Sequence, residues 1–305
     1  MKKLLITGAT GFIGRHVLAT AVYKGYDVYA VTSGEPLPVT NDVKWVSLDL
    51  FDYEQIKQKI SEIRPSHLLH FAWYAEPGKY WTSIENAKWV QTSLQLLMLF
   101  QTHGGQRAVL AGSCAEYDWN YGYCSESVTP VVPNTMYGVC KNSLQQIVTQ
   151  FSIQTGLSSA WGRIFFLYGP HENPKRLVPS VIRSLLQGNE ALCSHGEQIR
   201  DFMHVQDVAE AFVALLDSDV QGPVNIATGN PVRIKNVVSM IAAKMKAEHL
   251  VRFGAIPTSP DDPPLLVADV RRIKNEVKWS PNLGLDQGID HTIEWWVNAG
   301  KLSHS

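Results

Sequence analysis

Two apolar patterns alternate along the first half of this chain. Short apolar runs bounded by turn residues read as buried strands over 3–7, 26–31, 43–48, 66–72, 107–113 and 159–165. Between them apolar residues recur at helical spacing, as Ile56, Ile60 and Ile63 do, and predict helices over 12–24, 53–63, 84–103 and 135–155. The third helix is rich in leucine from Leu94 to Leu99. Strands alternating with helices predict an α/β fold, a doubly wound parallel sheet covered on both faces. Turn residues punctuate the chain at Gly169-Pro170 and at Asp261-Asp262-Pro263-Pro264. The second half mixes shorter elements and predicts a smaller C-terminal lobe over the carboxyl edge of the sheet, where ligands of such sheets sit.

The first strand runs into Gly8-Ala9-Thr10-Gly11-Phe12-Ile13-Gly14-Arg15 and then a helix. Glycines at Gly8, Gly11 and Gly14 let backbone approach a pyrophosphate, and the helix start offers it free N–H groups and a positive dipole end. The spacing differs from the general G-x-G-x-x-G fingerprint, yet its place after an N-terminal strand predicts a dinucleotide site. At the end of the second strand the chain reads Thr32-Ser33-Gly34, with no carboxylate to repel a 2′-phosphate. Thr32, Ser33 and Arg15 would donate to that phosphate, which predicts NADP(H) in preference to NAD(H). Asp27 lies at the usual distance for a ribose-binding acid but reads as a turn or strand-edge residue. Asp49 is placed either to accept from the adenine amino group or to cap the turn that follows.

Composition narrows the class. The 305 residues are 45% apolar with net charge −1, acids and bases interspersed, so neither a nucleic-acid nor a membrane-surface role has an electrostatic footprint. Cys114, Cys124, Cys140 and Cys193 show no metal or C-x-x-C spacing, which predicts no metal and a reduced, cytoplasmic compartment. The N-terminus reads as a strand, not a secretory leader, and no run approaches the roughly 20 apolar residues of a membrane span.

Tyr137-Gly-Val-Cys-Lys141 opens a helix, so the two side chains share a face. An ammonium beside a phenol favours the phenolate and is expected to lower the Tyr137 pKa, and Lys141 is placed to hold the nicotinamide ribose. Ser113 ends a strand at the carboxyl edge, where it would hydrogen-bond a substrate oxygen. Tyr137 would then move a proton while a cofactor carries hydride.

With these residues in this order, the chain resembles the extended short-chain dehydrogenase/reductases that act on nucleotide-diphosphate sugars. The resemblance covers nearly the whole length. It includes the glycine loop, Asp49-Leu50, His70-Phe71-Ala72, the Tyr137/Lys141 pair, 162–170, 200–209, Trp279-Ser280-Pro281 and 292–296. It implies a Rossmann-type NAD(P)-binding domain over 1–168, rejoined by 204–226, and a sugar-nucleotide lobe over 169–203 and 227–305. It also implies catalysis by Ser113, Tyr137 and Lys141. Gly8, Thr10, Gly11, Phe12, Ile13, Gly14, Leu50, Phe71 and Ala72 would line the cofactor. A homodimer is implied through a four-helix bundle of 84–103 and 135–155, with Leu94, Leu96, Leu97 and Leu99 either at that interface or in the core.

Departures from the family pattern point to the reaction. Its 4,6-dehydratases follow the serine with Asp-Glu, whereas this chain has Cys114-Ala115, and Glu116 would face away if the strand continued. Ser113-Cys114 and Gly169-Pro170-His171-Glu172-Asn173 are similar to the family's combined epimerase and 4-ketoreductase. There a cysteine two residues past the serine and a histidine after Gly-Pro exchange protons with the sugar. Cys114 is one residue short of that place, and His171 matches it. Phe166 stands where relatives carry a substrate-binding asparagine. Trp73, Tyr74, Tyr80 and Trp81 either wall a sugar ring or pack their loop on itself. Arg200 is the expected diphosphate anchor, with Arg176 or Arg183 assisting. The expected function is reduction of a nucleotide-linked 4-keto-6-deoxy sugar. The alternatives are a redox-neutral nucleotide-sugar 4-epimerase with tightly bound NAD(P) and a non-catalytic regulatory relative.

Overall fold

The computed structural model describes residues 1–38, 42–259 and 262–302. Asp261 of the expected turn and the last three residues of the expected lobe lie outside the described residues. In chain order the first half holds β1 (Lys3–Thr7), α1 (Gly14–Tyr23), β2 (Asp27–Thr32), β3 (Val43–Ser47), α2 (Tyr53–Ile63), β4 (His67–His70), α3 (Glu85–Thr102) and β5 (Arg107–Ser113). There follow β6 (Tyr123–Cys124), α4 (Met136–Thr155), β7 (Ser158–Ile164), β8 (Phe166–Tyr168), α5 (Leu177–Leu186), β9 (Ala191–Leu192) and β10 (Ile199–His204). The chain ends with α6 (Val205–Asp217), β11 (Gly222–Ile226), β12 (Pro231–Arg233), α7 (Ile234–Lys244), β13 (Val251–Arg252), β14 (Leu265–Ala268), α8 (Arg271–Asn275) and α9 (Leu285–Leu302).

Seven parallel strands form the main sheet in the order β11-β7-β5-β4-β1-β2-β3. Because β1 pairs β2 on one side and β4 on the other, the order reverses there and opens a crevice at its carboxyl end. Both faces are covered, so the inner strands are largely buried and their residues alternate between two cores. Leu4 and Ile6 pack toward α1 and α6 with Val17, Leu18, Val208 and Phe212, and Leu5 packs the other way with Ile56, Leu96, Phe100 and Leu144. Each such side chain stabilises by about 1.5–3 kcal/mol. A third core, with Val178, Ile182, Val237, Ile241 and Ile289, holds α5, α7 and α9 together.

Three expectations shift. Helix α1 starts at Gly14, not Phe12, because the glycine turn, closed by Gly11 N–H donating to Gly8 O at 3.0 Å, takes up those residues. The strand near 159–165 ends at Ile164, and β8 leaves the main sheet to pair with β10 in a second one. Leu96, Leu97 and Leu99 are buried against the sheet, so the leucine-rich stretch belongs to the core; Met98, Val139, Ile147 and Ile153 are the exposed apolar residues of α3 and α4. Among the described residues no helix is long and apolar enough to cross a membrane, and no group of His, Cys, Asp or Glu is arranged to hold a metal.

His70 ties three elements together. Its Nδ1 meets Thr7 Oγ1 of β1 at 2.7 Å and its Nε2 meets Ser93 Oγ of α3 at 2.8 Å. Burial, with the nearby Lys141 adding, pushes its pKa down to about 3. A lowered histidine pKa means that the unfolded chain takes up a proton that the folded chain refuses. Stability is therefore lost as pH falls below the ordinary value of 6.5. This one group should remove about 2 kcal/mol between neutral pH and pH 5. Urea unfolding of wild type and His70→Gln at both pH values checks it: the variant should lose distinctly less stability on acidification, and parallel losses would refute the assignment.

Candidate active site

Bare backbone lines the crevice. Gly8 has φ +67°, and a Cβ there would stand 2.7 Å from Ala72 N, so β1 meets the end of β4 without a side chain between them. A Cβ on Gly14 would stand 2.1 Å from Gly8 O, which presses the start of α1 onto the turn. No acidic residue occupies the first turn of α1. A dinucleotide pyrophosphate fits this cradle, with free N–H groups and the helix dipole facing it.

The residues expected around that cradle divide. Thr10, Gly11, Phe12 and Ile13 form the turn itself, Phe12 resting on His16. Phe71 packs on Phe212, and Leu50 and Ala72 are buried. Arg15 does not project toward a 2′-phosphate: its guanidinium donates back to Thr10 O at 2.8 Å and Gly11 O at 3.4 Å. The Thr32 hydroxyl accepts from Gly34 N–H at 3.1 Å, while Ser33 is exposed. Asp49 Oδ1 accepts from Phe51 N–H at 2.9 Å, so the carboxylate caps the turn into α2. Asp27 is paired with Lys44 at 2.7 Å on the strand edge.

Ser113 owes its place to a buried carboxylate. β5 stops at Ser113, and a single 3₁₀ turn, Cys114–Glu116, folds Glu116 back beneath the strand instead of continuing it. Glu116 Oε1 accepts from Ser113 N–H at 2.8 Å and from Trp161 Nε1–H at 2.9 Å, and Oε2 accepts from Arg163 Nε–H at 2.7 Å. The pair is almost wholly enclosed, Arg163 2% and Glu116 0% exposed. Helix α4 then docks on this turn. A Cβ on Gly138 would stand 2.4 Å from Ala115 O, so glycine is what lets the helix approach. Thr135 caps it by accepting from Gly138 N–H at 3.1 Å.

Docking of α4 brings Tyr137 and Lys141 beside Ser113. Lys141 Nζ donates to Ala111 O at 2.8 Å and lies 3.7 Å from the Trp73 ring centroid but 6.0 Å from that of Tyr137. Burial pushes the ammonium down to about 7, with Glu116 opposing. Burial also pushes the Tyr137 phenol up, the Ser113 side chain acting the other way. The expected lysine-driven lowering of the Tyr137 pKa is therefore overturned in this arrangement, because desolvation outweighs a cation whose charge is turned to a carbonyl and an indole face.

Aromatic rings enclose Tyr137 edge-on. Their centroids stand 4.9 Å away for Tyr80, 5.6 Å for Trp81 and 6.5 Å for Trp73. Trp73 is anchored through Nε1–H to Asn86 Oδ1 at 2.8 Å, and its face lies against Lys141, so it is a partner of the lysine before it is a sugar wall. Trp119, which stands 5.9 Å from Trp81, donates to Cys114 O at 2.9 Å. Burial keeps the Cys114 thiol protonated by pushing its pKa up. His171, with φ +69°, lies against Trp295, at 4.5 Å, and His16, at 6.0 Å. Arg200 is buried, bonded to Asp262 at 2.5 Å and laid 5.2 Å from the Phe166 ring, so its charge is already partnered. Arg183 sits over Trp296.

A model described as the NAD dependent epimerase/dehydratase family matches residues 4–227. The chain belongs to this family. It is 26% identical over 317 residues to UDP-glucuronic acid decarboxylase 1 of Danio rerio, across 99% of this chain and 74% of that one. It is 26% identical over 307 residues to UDP-glucose 4-epimerase of Corynebacterium glutamicum, across 92% of this chain and 91% of that one. Among solved structures it is similar to MoeE5 in complex with UDP-glucuronic acid and NAD, at 28% identity and a TM-score of 0.85, over 97% of this chain and 99% of that chain. As a member of the epimerase/dehydratase family the protein is an enzyme of the NAD-dependent nucleotide-sugar type.

Sequence reasoning missed the structural part of Glu116, the nearness of Trp119, and Glu172, a buried carboxyl beside the expected histidine. A signal existed for Glu116 alone: an acid amid apolar residues just past a buried strand. Removing its charge should expose its worth. Glu116→Gln leaves Arg163 buried and unpaired, which should cost about 3–5 kcal/mol in chemical denaturation, with Arg163→Met/Glu116→Gln recovering part of the loss. A variant within 1 kcal/mol of wild type, on the scale of an exposed pair, would contradict the account.

Proposed function

We propose that this protein reduces the 4-keto group of a nucleotide-linked 4-keto-6-deoxy sugar and prefers NADP(H) to NAD(H). The observation that carries the reading is the proton inventory around Ser113. Glu116 is locked beneath the strand, Ala115 has no acid, and the Cys114 thiol is held protonated, so no acid pair serves an elimination. What is left is Tyr137, a phenol that burial keeps protonated and that suits donation to a developing alkoxide. Ser113 orients the carbonyl, and Lys141 holds the ribose and its own proton near neutrality. When bound, the nicotinamide supplies the hydride. The carboxylate-free end of β2, with Ser33 exposed, supports the phosphorylated cofactor. A 4-epimerase is the second reading, favoured by the likeness to the Corynebacterium glutamicum enzyme; it would have to begin by taking a proton onto Tyr137.

Purified protein given NADPH or NADH and a panel of nucleotide-linked 4-keto-6-deoxy sugars should consume reduced nicotinamide stoichiometrically with one of them, faster with NADPH. Tyr137→Phe should bind cofactor normally and lose at least ~100-fold in turnover, the scale of a positioned acid. If nicotinamide persists while UDP- or GDP-hexoses interconvert, the protein is an epimerase and this reading fails.

The reading includes a homodimer through α3 and α4. Their outward faces carry Met98, Val139, Ile147 and Ile153, exposed apolar residues on helices with few charges. Ile147→Asp should convert a dimer to a monomer in light scattering without loss of helix content. An unchanged mass in that variant would rule this face out.

A further inference from the structure

Arg176 stands apart from the other arginines of the pocket. Arg163 is paired with Glu116 and Arg200 with Asp262, whereas Arg176 enters no ion pair among the described residues. It sits at the start of α5, half-buried, with its Cζ 5.4 Å from the Tyr80 ring centroid, and its charge works against the burial that raises the Tyr80 pKa. Tyr80 in turn stands edge-on to Tyr137 and near the Cys114 thiol. A cation with no counter-ion thus reaches the wall of the reactive pocket.

Four residues before it lies a carboxyl that could be that counter-ion and is not. Glu172 is 8% exposed, and its Oε2 is buried with no hydrogen-bond partner. Burial pushes its pKa up to about 8, with Arg176 and the Gly169 backbone opposing. The other titratable groups around this loop include Tyr80 after β4, Glu76 facing Lys175, His171 and Lys175 on the loop itself, and Arg15 and His16 of α1, His16 holding Pro170 O at 3.1 Å. The charge that acts on Glu172 is that of Arg176.

We propose that Arg176 is an oxyanion-binding arm of the substrate pocket and that Glu172 is the positioning residue that releases or withdraws it. With Glu172 protonated, Arg176 rests on Tyr80 with its charge open to a ligand, the arrangement seen here. With Glu172 ionised, the guanidinium has an acid four residues away as a partner and is drawn from Tyr80. The ligand chemistry is a phosphate or carboxylate oxyanion, which a guanidinium grips through two parallel N–H donors. Two parts of a substrate could supply it, the diphosphate of a nucleotide sugar or a carboxylate on the sugar. The inference rests on the substrate being a nucleotide sugar, as proposed above, but not on the direction of the redox step, so a protein that proves to be an epimerase still tests it.

Calorimetric binding of UDP-glucose, UDP-glucuronate, GDP-mannose and dTDP-glucose to the full chain between pH 6.5 and pH 9 provides the test. The diphosphate of these sugars holds its charge across that range, so a change in affinity belongs to the protein. For the tightest ligand, affinity should fall about tenfold from pH 7 to pH 9, the linkage of one proton to a group titrating near 8. Glu172→Gln should bind as wild type does at pH 7 and stay flat, apart from any slope owed to Lys141. Arg176→Gln should bind weakly at every pH. A loss in Arg176→Gln confined to UDP-glucuronate would make the sugar carboxylate the anion, and a loss shared by all would make it the diphosphate. Wild-type affinity that does not change with pH, an unaltered slope in Glu172→Gln, or no binding of any of the four sugars would overturn the proposal. The wild-type curve needs no variant, so a variant that fails to fold does not rescue the idea.

Discussion

The pocket depends on one enclosed ion pair. Glu116 takes three donors from two neighbouring strands, the Ser113 backbone at the end of β5 and the Trp161 and Arg163 side chains of β7, in a space closed to water. That satisfies both carboxylate oxygens, the condition under which a buried charge is tolerated. Its consequence is positional: the strand must stop at Ser113, the hydroxyl is left at the carboxyl edge, and the turn beyond offers Ala115 O as the surface on which Gly138 docks. Tyr137 and Lys141 inherit their places from that contact.

Burial then sets the proton states. Lys141, Tyr137 and Cys114 are all shifted toward their neutral forms by desolvation. A dry pocket lined by Trp73, Tyr80 and Trp81 makes every remaining charge stronger in its effect, because little water screens it. Arg200 meets Asp262 there, whereas Arg176 lies at the rim against Tyr80 with no ion-pair partner among the described residues.

The same dryness links fold and site. His70 sits between β1 and α3 on one side and feels Lys141 on the other, so the neutral imidazole that holds the sheet together is also part of the electrostatic wall behind the lysine. The glycine cradle, the β4 end and the base of the pocket meet within one turn of chain at Gly8 and Ala72. Family membership agrees with this economy, since the matched segment runs from the first strand to the last strand of the main sheet.

Local pattern was enough to read the elements of the first half, the parallel sheet, the glycine cradle and the order Ser113, Tyr137, Lys141, because periodicity, glycine spacing and a four-residue helical repeat are all carried by neighbours in the chain. Even the strand-edge reading of Asp27 followed from counting. Tertiary structure decided everything that depends on partners far apart in sequence. Glu116 lies 47 residues from Arg163, Arg200 62 from Asp262, and Lys141 meets Trp73 across the crevice. Contacts of this kind paired Arg200 with Asp262, put the leucines of α3 in the core, and moved the Tyr137 phenol from lowered to raised. Whether a polar side chain is free to act is set by what it meets and how much water it keeps, and neither quantity is written in its neighbours along the chain.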